Sequence, residues 1–164
     1  VKKSAGVVDH LHPRFLTVHA SGGAAMISAA VSAVTSTSIT AVTVLTSLAD
    51  ADLADLGYAK PALETAVSMA RVATAAGATS IVCSPLEIEA IRAVIPQSVE
   101  IITPGVRPTD EAGGDDQMRT MTPAQAMSAG ANFLVIGRPI TSRWSAGKAA
   151  MATRAAQLVA SIHE

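Results

Sequence analysis

The sequence contains no run of like charges and no basic stripe of the kind that nucleic-acid or membrane partners require. Its 164 residues carry 12 Lys and Arg against 13 Asp and Glu, a formal net charge of −1. The densest charged stretch is acidic and comprises Asp110, Glu111, Asp115 and Asp116. Because nucleic acids and anionic membranes are recognised by concentrated Lys and Arg, this composition argues against both partners. The composition favours a small molecule as the binding partner.

Long apolar segments are also missing. No stretch reaches the roughly 18 apolar residues of a membrane span. The first residues, Val1 to Gly6, lack the apolar core of a secretory signal, so we expect a cytoplasmic protein. The single cysteine, Cys83, excludes an intrachain disulfide, and its apolar neighbours predict a small core residue without chemistry. No metal-ligand cluster is evident, so we expect no metal.

Hydrophobic residues, by contrast, are plentiful. They make up 49% of a chain long enough to bury one core, so we predict a single domain over residues 1–164. Ala-rich helical sequence separates short, nearly continuous apolar runs of the kind found in strands that are covered on both faces. These runs are Phe15 to His19, Ile39 to Leu45, Ser80 to Cys83, Val99 to Thr103 and Phe133 to Ile136. The alternation predicts an α/β fold of βα units around a parallel sheet.

Two helix starts are marked by capping boxes. Ser84-Pro85-Leu86-Glu87 and Thr122-Pro123-Ala124-Gln125 each place a hydroxyl residue before a proline and an acid or amide three residues later. Gly130 follows the second box at a distance that predicts the helix end. The first box comes directly after the predicted strand that ends at Cys83, so strand and helix are joined almost without a loop.

Glycine and arginine follow the last two predicted strands. Gly137-Arg138 ends the run Phe133 to Ile136, and Gly105 with Arg107 follows the preceding strand. A glycine lets the backbone approach a ligand, while a guanidinium offers a planar fork of donors to an oxyanion. In (β/α)₈ barrels a phosphate is frequently bound by the loops after the last two strands. The pattern therefore indicates a phosphate site, the alternative being an arginine paired with a nearby carboxylate.

The longest irregular stretch, 104–121, lies between these two motifs. Gly113 and Gly114 would let it fold over a bound ligand, and Gln117 would then bridge two ligand groups. After the second predicted strand, the hydroxyls of Thr46 and Ser47 have two interpretations. They suit the polar edge of a ring, or they cap the next helix.

Seven segments together resemble one enzyme family, orotidine 5′-phosphate decarboxylase, in order and with similar spacing. They are LTVHASGG (16–23), AVTVLTSL (41–48), VCS (82–84), TPGVRP (103–108), DQMR (116–119), MTPAQAMSAGA (121–131) and VIGRPIT (135–141). The similarity covers essentially the whole chain. Each segment alone is weak, but LTS, PGVRP, DQ and IGRP in combination are fairly specific.

The resemblance implies a fold and an activity. Members of this family are cofactor-free, dimeric (β/α)₈ barrels, and they remove carbon dioxide from orotidine 5′-phosphate to give uridine 5′-phosphate in pyrimidine synthesis. Such a barrel takes about 250 residues and rarely fewer than about 200. With five predicted strands, this chain would supply only the last five βα units, that is, the carboxyl-terminal part of the barrel.

The resemblance also implies roles for individual residues. Thr46 and Arg107 match ligand contacts of the family, and Gln117 matches the residue that spans pyrimidine and phosphate. Gly137 and Arg138 match the residues with which the family binds the phosphate. His19 would point into the same mouth, but a histidine there is as readily a hydrogen-bonded structural residue, so we assign it no catalytic role.

The family's catalytic residues have no counterpart in this chain. They are a Lys and Asp array in a D-x-K-x-x-D-I-P-N-T segment together with an earlier lysine, and Val1 falls about where that segment would have just ended. Lys2 and Lys3 fall on the following helix, where a solvated face is the natural reading. We therefore assign no catalytic residue and predict that the 164-residue chain alone is inactive. Either it is a piece of a longer polypeptide or another chain completes it.

Two other functions remain open on the sequence alone. One is another phosphate-binding barrel enzyme, such as a sugar-phosphate epimerase or synthase, which a metal requirement would favour. The other is a non-catalytic binding protein built from a half-barrel. An Asp-x-Lys-x-x-Asp segment upstream of Val1 would separate the decarboxylase from both.

Overall fold

The computed structural model describes residues 1–108 and 121–162, and in these ranges five parallel strands form one sheet in sequence order. The strands are β1 Phe15–His19, β2 Ser38–Val42, β3 Ser80–Val82, β4 Glu100–Thr103 and β5 Phe133–Leu134. The helices are α1 Lys2–Asp9, α2 Gly23–Val31, α3 Asp50–Asp55, α4 Ala62–Ala75, α5 Ile88–Arg92, α6 Pro123–Ser128, α7 Arg138–Thr141 and α8 Lys148–Ala160. Short 3₁₀ turns occupy Ala20–Gly22, Pro85–Glu87 and Ser142–Ala146. The predicted βα alternation and parallel order are confirmed.

Four of the five predicted strands extend beyond the observed ones, whereas β1 has the predicted limits. The largest excess is in β2, predicted to reach Leu45 but ending at Val42. Thr43 still donates its N–H to Val82 O (3.0 Å), after which the chain turns away at Leu45 to Leu48. Val44 stays buried without belonging to the ladder, so an apolar pattern overestimates the strand.

The stagger of the sheet matches the curvature of an eight-stranded barrel. Successive register pairs connect His19 of β1 to Phe133 of β5 through one residue on each intervening strand. The Phe133 ring nevertheless packs against Phe15, four residues before His19, at 5.3 Å between ring centroids. Four strand steps thus give a four-residue shift, one residue per step, as a shear of 8 over eight strands requires.

Arg14 closes the amino-terminal end of this curved sheet. Its guanidinium carbon lies 5.0 Å from the Phe15 ring centroid and 4.5 Å from that of Phe133, within cation–π range. The same guanidinium donates to Glu100 Oε1 at 2.8 Å. Because Phe15 and Phe133 belong to the two edge strands, this cluster joins β1, β4 and β5 and holds the sheet in its curved form.

Side chains alternate between the two faces of the sheet. The outer face carries Ala41, Ile81 and Ile101, each fully buried in one core with alanines of α4 such as Ala66 and Ala70. Small residues let the helix pack close to the sheet, which is why the helical sequence is rich in alanine. The inner face carries the residues in register with Phe15 and Phe133. Toward the amino-terminal ends of the strands this face is polar, since Thr40 Oγ1 and Ser38 Oγ lie 2.6 and 3.0 Å from Ser80 Oγ.

One arginine fixes the start of β5, the strand that leads to Gly137 and Arg138. Arg92, at the end of α5, donates to Val99 O at 2.6 Å, to Gly130 O at 2.9 Å and to Asn132 Oδ1 at 2.6 Å. Asn132 Oδ1 in turn accepts the Ile101 N–H at 2.8 Å. Partial burial lowers the pKa of the Arg92 guanidinium from its ordinary value. These bonds couple the loop before β4 to the loop before β5.

Asp9, the last residue of α1, joins that helix to the loop before β2. Its Oδ2 accepts from the N–H and the hydroxyl of Thr35, both at 2.9 Å. Its Oδ1 accepts from the Thr37 hydroxyl at 2.7 Å and from the Thr37 N–H at 3.2 Å. The neighbouring Ser36 contributes longer bonds of 3.4 Å, and its hydroxyl also lies 3.2 Å from His12 Nδ1. Hydrogen bonds from Thr37 and Thr35 hold the pKa of Asp9 well below its ordinary value.

We expect Asp9→Asn to lower the thermal midpoint of the protein at neutral pH, and the difference from wild type to shrink as the solution is acidified. Because the folded-state pKa is depressed, the contribution of Asp9 is fully present above the unfolded pKa of about 3.9 and declines progressively as the pH falls from there toward the folded-state pKa. Melting curves between pH 3 and pH 7 measure this. Asp55→Asn, an exposed change of the same charge on α3, is the control. A deficit that does not depend on pH would contradict the role given to the carboxylate.

Candidate functional site

The predicted binding residues in the described ranges lie at one edge of the sheet. Thr46 follows β2, Arg107 follows β4, and Gly137 with Arg138 follows β5. All five strands are parallel neighbours, so their carboxyl ends share one rim. Gln117 lies outside the described residues. The sequence prediction of a common carboxyl-terminal rim is therefore confirmed for the strands that carry Thr46, Arg107 and Arg138.

Gly137 forms an open surface at the end of β5. The Val135 N–H still donates to Thr103 O at 2.9 Å, and the chain then enters α7 with Gly137 as its N-cap. The Gly137 carbonyl accepts the N–H groups of Ile140 at 2.9 Å and Thr141 at 3.0 Å, which fixes the turn. A Cβ placed on Gly137 would meet no atom within 4 Å. The glycine therefore leaves room for a ligand beside Arg138, whose side chain is exposed.

Arg107 is positioned by a bridge across the base of the loop after β4. Val106 and Met121 form a parallel bridge, and the Arg107 N–H donates to Met121 O at 3.0 Å. Gly105 precedes it with a φ of +76°, a conformation that favours glycine. Arg107 is half-buried, and its guanidinium donates to Val106 O at 3.1 Å. The two described segments that flank residues 109–120 therefore meet beside Arg107.

Thr46 lies in the turn that replaces the predicted end of β2. The turn closes through the Leu48 N–H, which donates to Leu45 O at 3.0 Å. Thr46 is half-buried here and does not cap the next helix, since α3 begins at Asp50 with Ala49 as its N-cap. Of the two interpretations that the sequence left open for this residue, helix capping is excluded by the structure.

Ser84, at the end of β3, is a candidate that sequence reasoning missed. The sequence predicts a capping box, yet only one half of it forms: Glu87 Oε2 accepts the Ser84 N–H at 3.0 Å. The helix begins with a 3₁₀ turn, in which the Glu87 N–H donates to the Ser84 carbonyl at 3.0 Å. Ser84 Oγ is therefore buried without a hydrogen-bond partner among the described residues. By contrast, the box at Thr122 and Gln125 forms completely, and that helix stops before Gly130 as predicted.

Cys83, beside Ser84, is a core residue as predicted. It is 1% exposed and packs on the outer face of the sheet. Burial raises the pKa of the Cys83 thiol well above its ordinary value, and the charge of Glu87 raises it further. A thiol in that state is protonated at neutral pH and is a poor nucleophile.

His19 ends β1 on the inner face and is exposed. It lines a cavity of about 550 Å³ between β1 and α1, together with Ser4, Val8 and Met26 among others. Within residues 1–108 and 121–162 no group of three or more His, Cys, Asp or Glu side chains is placed to hold a metal ion. The same part of the chain contains no helix long and apolar enough to cross a membrane.

Comparisons with known proteins agree with this geometry. A family model described as orotidine 5′-phosphate decarboxylase / HUMPS family matches residues 1–153. Orotidine 5′-phosphate decarboxylase of Thermobifida fusca is 50% identical over 155 residues, which is 94% of this chain and 66% of the relative. The enzyme of that name from Frankia casuarinae is 47% identical over 90% of this chain and 54% of its own length.

A solved structure shows the same fold. The crystal structure of orotidine 5′-phosphate decarboxylase from Lactobacillus acidophilus superposes with a TM-score of 0.76 at 31% identity, covering 96% of this chain and 68% of that one. This chain therefore corresponds to about 54 to 66% of the length of the two curated relatives above. The five-stranded sheet matches part of a larger barrel.

Proposed function

Because this chain belongs to the orotidine 5′-phosphate decarboxylase / HUMPS family, we propose that the complete protein converts orotidine 5′-phosphate to uridine 5′-phosphate in pyrimidine synthesis. The observation that carries the proposal is the rim of the sheet, where Arg107 and the open Gly137-Arg138 turn follow adjacent strands. Two guanidinium groups and an unobstructed backbone suit a phosphate monoester.

In this proposal the residues of this chain supply the positioning part of the reaction. Arg138 and Arg107 hold the phosphate, and Thr46 faces the pyrimidine from the loop after β2. Gln117 spans the ring and the phosphate. Binding energy from the phosphate, which does not react, holds the ring where the chemistry occurs and raises the rate of the chemical step.

The chemical step needs groups of another kind. When the carbon–carbon bond breaks, carbon dioxide leaves and the electron pair stays on the ring carbon, which then takes a proton. A positioned ammonium group would stabilise that charge and deliver the proton. The four lysines of this chain, Lys2, Lys3, Lys60 and Lys148, all lie on exposed helical or loop positions and none on a strand. We propose that the Lys and Asp array is supplied from outside these 164 residues.

We further propose that the complete protein is a cytoplasmic homodimer that acts without a cofactor. Family resemblance supports each of these points. Sedimentation of the complete polypeptide tests the dimer, and full activity after exhaustive treatment with a chelator tests the independence from metal.

The proposed function is tested by incubating the purified complete polypeptide with orotidine 5′-phosphate and following the formation of uridine 5′-phosphate. Rapid conversion without added metal is the expected result. A protein that leaves orotidine 5′-phosphate intact but transforms a sugar phosphate in the presence of a divalent cation would favour the alternative barrel enzyme. Inactivity with both substrates, accompanied by tight nucleotide binding, would favour a binding protein.

A further inference from the structure

We infer that His19 is a positioning residue for the decarboxylation, and that its imidazole holds a carboxylate of the Lys and Asp array in place through a hydrogen bond. The inference rests on the proposed function and gives His19 a role that the sequence motifs did not assign. Three features of the structure support it: the height of His19 in the barrel, its side of the mouth and its place on an unpaired strand edge.

The register places His19 at the height of Gly137. Phe15 and Phe133 lie level on the inner face, since their ring centroids are 5.3 Å apart. Side chains alternate along a strand, so the inner-face positions two alternations further on are His19 on β1 and Gly137 after β5. Alternate strands contribute side chains to common layers in such barrels, so His19 and Gly137 belong to one layer at the carboxyl-terminal mouth.

His19 and Gly137 face each other across this mouth. β1 and β5 are four strand steps apart, which is half the circumference of an eight-stranded barrel. At the amino-terminal end the rings of Phe15 and Phe133 fill the same span. At the mouth Gly137 contributes no side chain, and a Cβ on it would meet no atom within 4 Å. The nucleotide therefore has room here, with its phosphate at Gly137 and Arg138 and its reacting ring toward His19.

β1 is an edge strand, and one of its sides is unpaired. Alternate residues of a parallel strand direct their main-chain groups to the same neighbour. The Ser38 N–H donates to Arg14 O at 2.9 Å, so Arg14 and every second residue after it face β2. The N–H and C=O groups of Phe15, Thr17 and His19 point to the other side, where no described strand pairs with them. A closed barrel pairs each strand on both sides, so a further strand of the complete protein lies here.

The cavity of about 550 Å³ that His19 lines runs along this open edge. Leu16 and Val18 on the outer face of β1, with Ala5 and Val8 on α1, give it apolar walls that suit the outward side chains of a buried strand. Neighbouring strands lie about 4.7–4.9 Å apart, so an inward side chain at the carboxyl end of that strand comes within hydrogen-bond reach of the His19 imidazole.

The proposed reaction requires the Lys and Asp array on this side of the mouth. Arg107 and Arg138 follow β4 and β5 and hold the phosphate, so the ammonium group must reach the ring from the opposite side. That side consists of β1 and the strand that pairs with its open edge. All four lysines of this chain lie outside its strands, so the array belongs to the strand beside β1.

His19 is suited to hold a carboxylate of that array. Its main chain is fixed by pairing with Val42 and by the 3₁₀ turn Ala20–Gly22 that follows. An imidazole N–H donates to a carboxylate oxygen and leaves the remaining oxygen lone pairs to the ammonium group. A carboxylate fixed in this way holds the ammonium group against the ring carbon that takes the proton. His19 itself transfers no proton in this arrangement.

The test compares His19→Ala with wild type in the complete polypeptide, by turnover of orotidine 5′-phosphate and by affinity for uridine 5′-phosphate. We expect kcat to fall about 10- to 100-fold, as the loss of one hydrogen bond to a charged group implies, and the affinity to change by less than about twofold. His10→Ala removes an exposed histidine at the end of α1, by the amino-terminal end of the sheet, and should change neither quantity.

Two amide variants test the hydrogen bond itself. His19→Asn keeps an N–H donor near the position of Nδ1, and His19→Gln keeps one near that of Nε2. We expect one of the two to restore kcat to within about threefold of wild type. Failure of both to exceed His19→Ala would overturn the hydrogen bond to the array.

The remaining outcomes separate this inference from the proposed function. Wild-type turnover by His19→Ala overturns the inference alone. An affinity for uridine 5′-phosphate that falls as far as kcat, with a lowered thermal midpoint, also overturns it, because His19 would then support the fold. A wild-type complete polypeptide that leaves orotidine 5′-phosphate intact overturns the proposed function and the inference with it.

Discussion

Arg138→Ala is expected to weaken the binding of uridine 5′-phosphate about 10- to 100-fold while leaving the affinity for uridine nearly unchanged. Each hydrogen bond between the guanidinium and a phosphate oxygen contributes about 1.5–3 kcal/mol, and a bidentate contact contributes more. Uridine lacks the phosphate, so its affinity does not depend on this guanidinium. The measurement is a two-by-two comparison of both ligands with wild type and variant, made in the complete polypeptide.

Two further variants make this comparison specific. Arg71→Ala removes an exposed arginine from α4, away from the rim, and controls for the change in net charge. Thr46→Ala should show the opposite bias, because loss of a ring contact weakens uridine and uridine 5′-phosphate by the same factor. Equal losses of both ligands in Arg138→Ala would mean that Arg138 supports the turn after β5 and does not hold the phosphate.

The sequence contained most of the information on the strands, because buried parallel strands are nearly continuous apolar runs. It placed the carboxyl ends of β2, β3 and β5 too late in the chain. Val44 and Cys83 are as buried as the strand residues before them, yet both lie beyond the ends of their strands. A strand ends where its hydrogen bonding to the neighbouring strand ends. The hydrophobicity of one segment does not show where its neighbour ends.

The curvature of the sheet likewise could not be predicted from local sequence patterns. The contact between Phe15 and Phe133 joins residues far apart in the chain, and Arg14 lies over both rings. Only the register through the intervening strands shows that this contact reflects the one-residue stagger of a barrel. The bonds from Arg92 to Gly130 and Asn132 are non-local in the same way.

The candidate site likewise contains residues that the sequence predicted and residues that it did not. A glycine and an arginine that together follow a strand have few structural roles other than anion binding. Gly137-Arg138 and Gly105 with Arg107 could therefore be predicted from the sequence. Ser84 was not, because its motif specifies a helix cap equally well. The Ser-Pro-x-Glu sequence is compatible with an α-helical start and with a 3₁₀ start, and in the 3₁₀ start observed here the Ser84 hydroxyl has no partner among the described residues. Gln117 lies outside the described residues and stays a prediction.

The 164-residue polypeptide, prepared by itself, is expected to show no measurable decarboxylation of orotidine 5′-phosphate. The inner face of its sheet carries Thr17, Thr40, Ser80 and hydrophobic residues above the Arg14 and Glu100 pair, and no strand holds a lysine. General acid catalysis contributes about 10²- to 10⁴-fold, and a single preorganised electrostatic contact about 10²- to 10³-fold. Losing both reduces turnover by at least about 10⁴-fold, even with the nucleotide correctly held.

Binding and turnover must therefore be measured on the same sample. If the isolated polypeptide binds uridine 5′-phosphate and Arg138→Ala weakens that binding, the rim is folded, and missing turnover reflects missing chemistry. The complete polypeptide, assayed at the same concentration, provides the reference rate. Formation of uridine 5′-phosphate by the sequence-verified 164-residue polypeptide would show that the chain holds its own proton donor. His19, the exposed imidazole at the inner end of β1, would then be the first residue to replace.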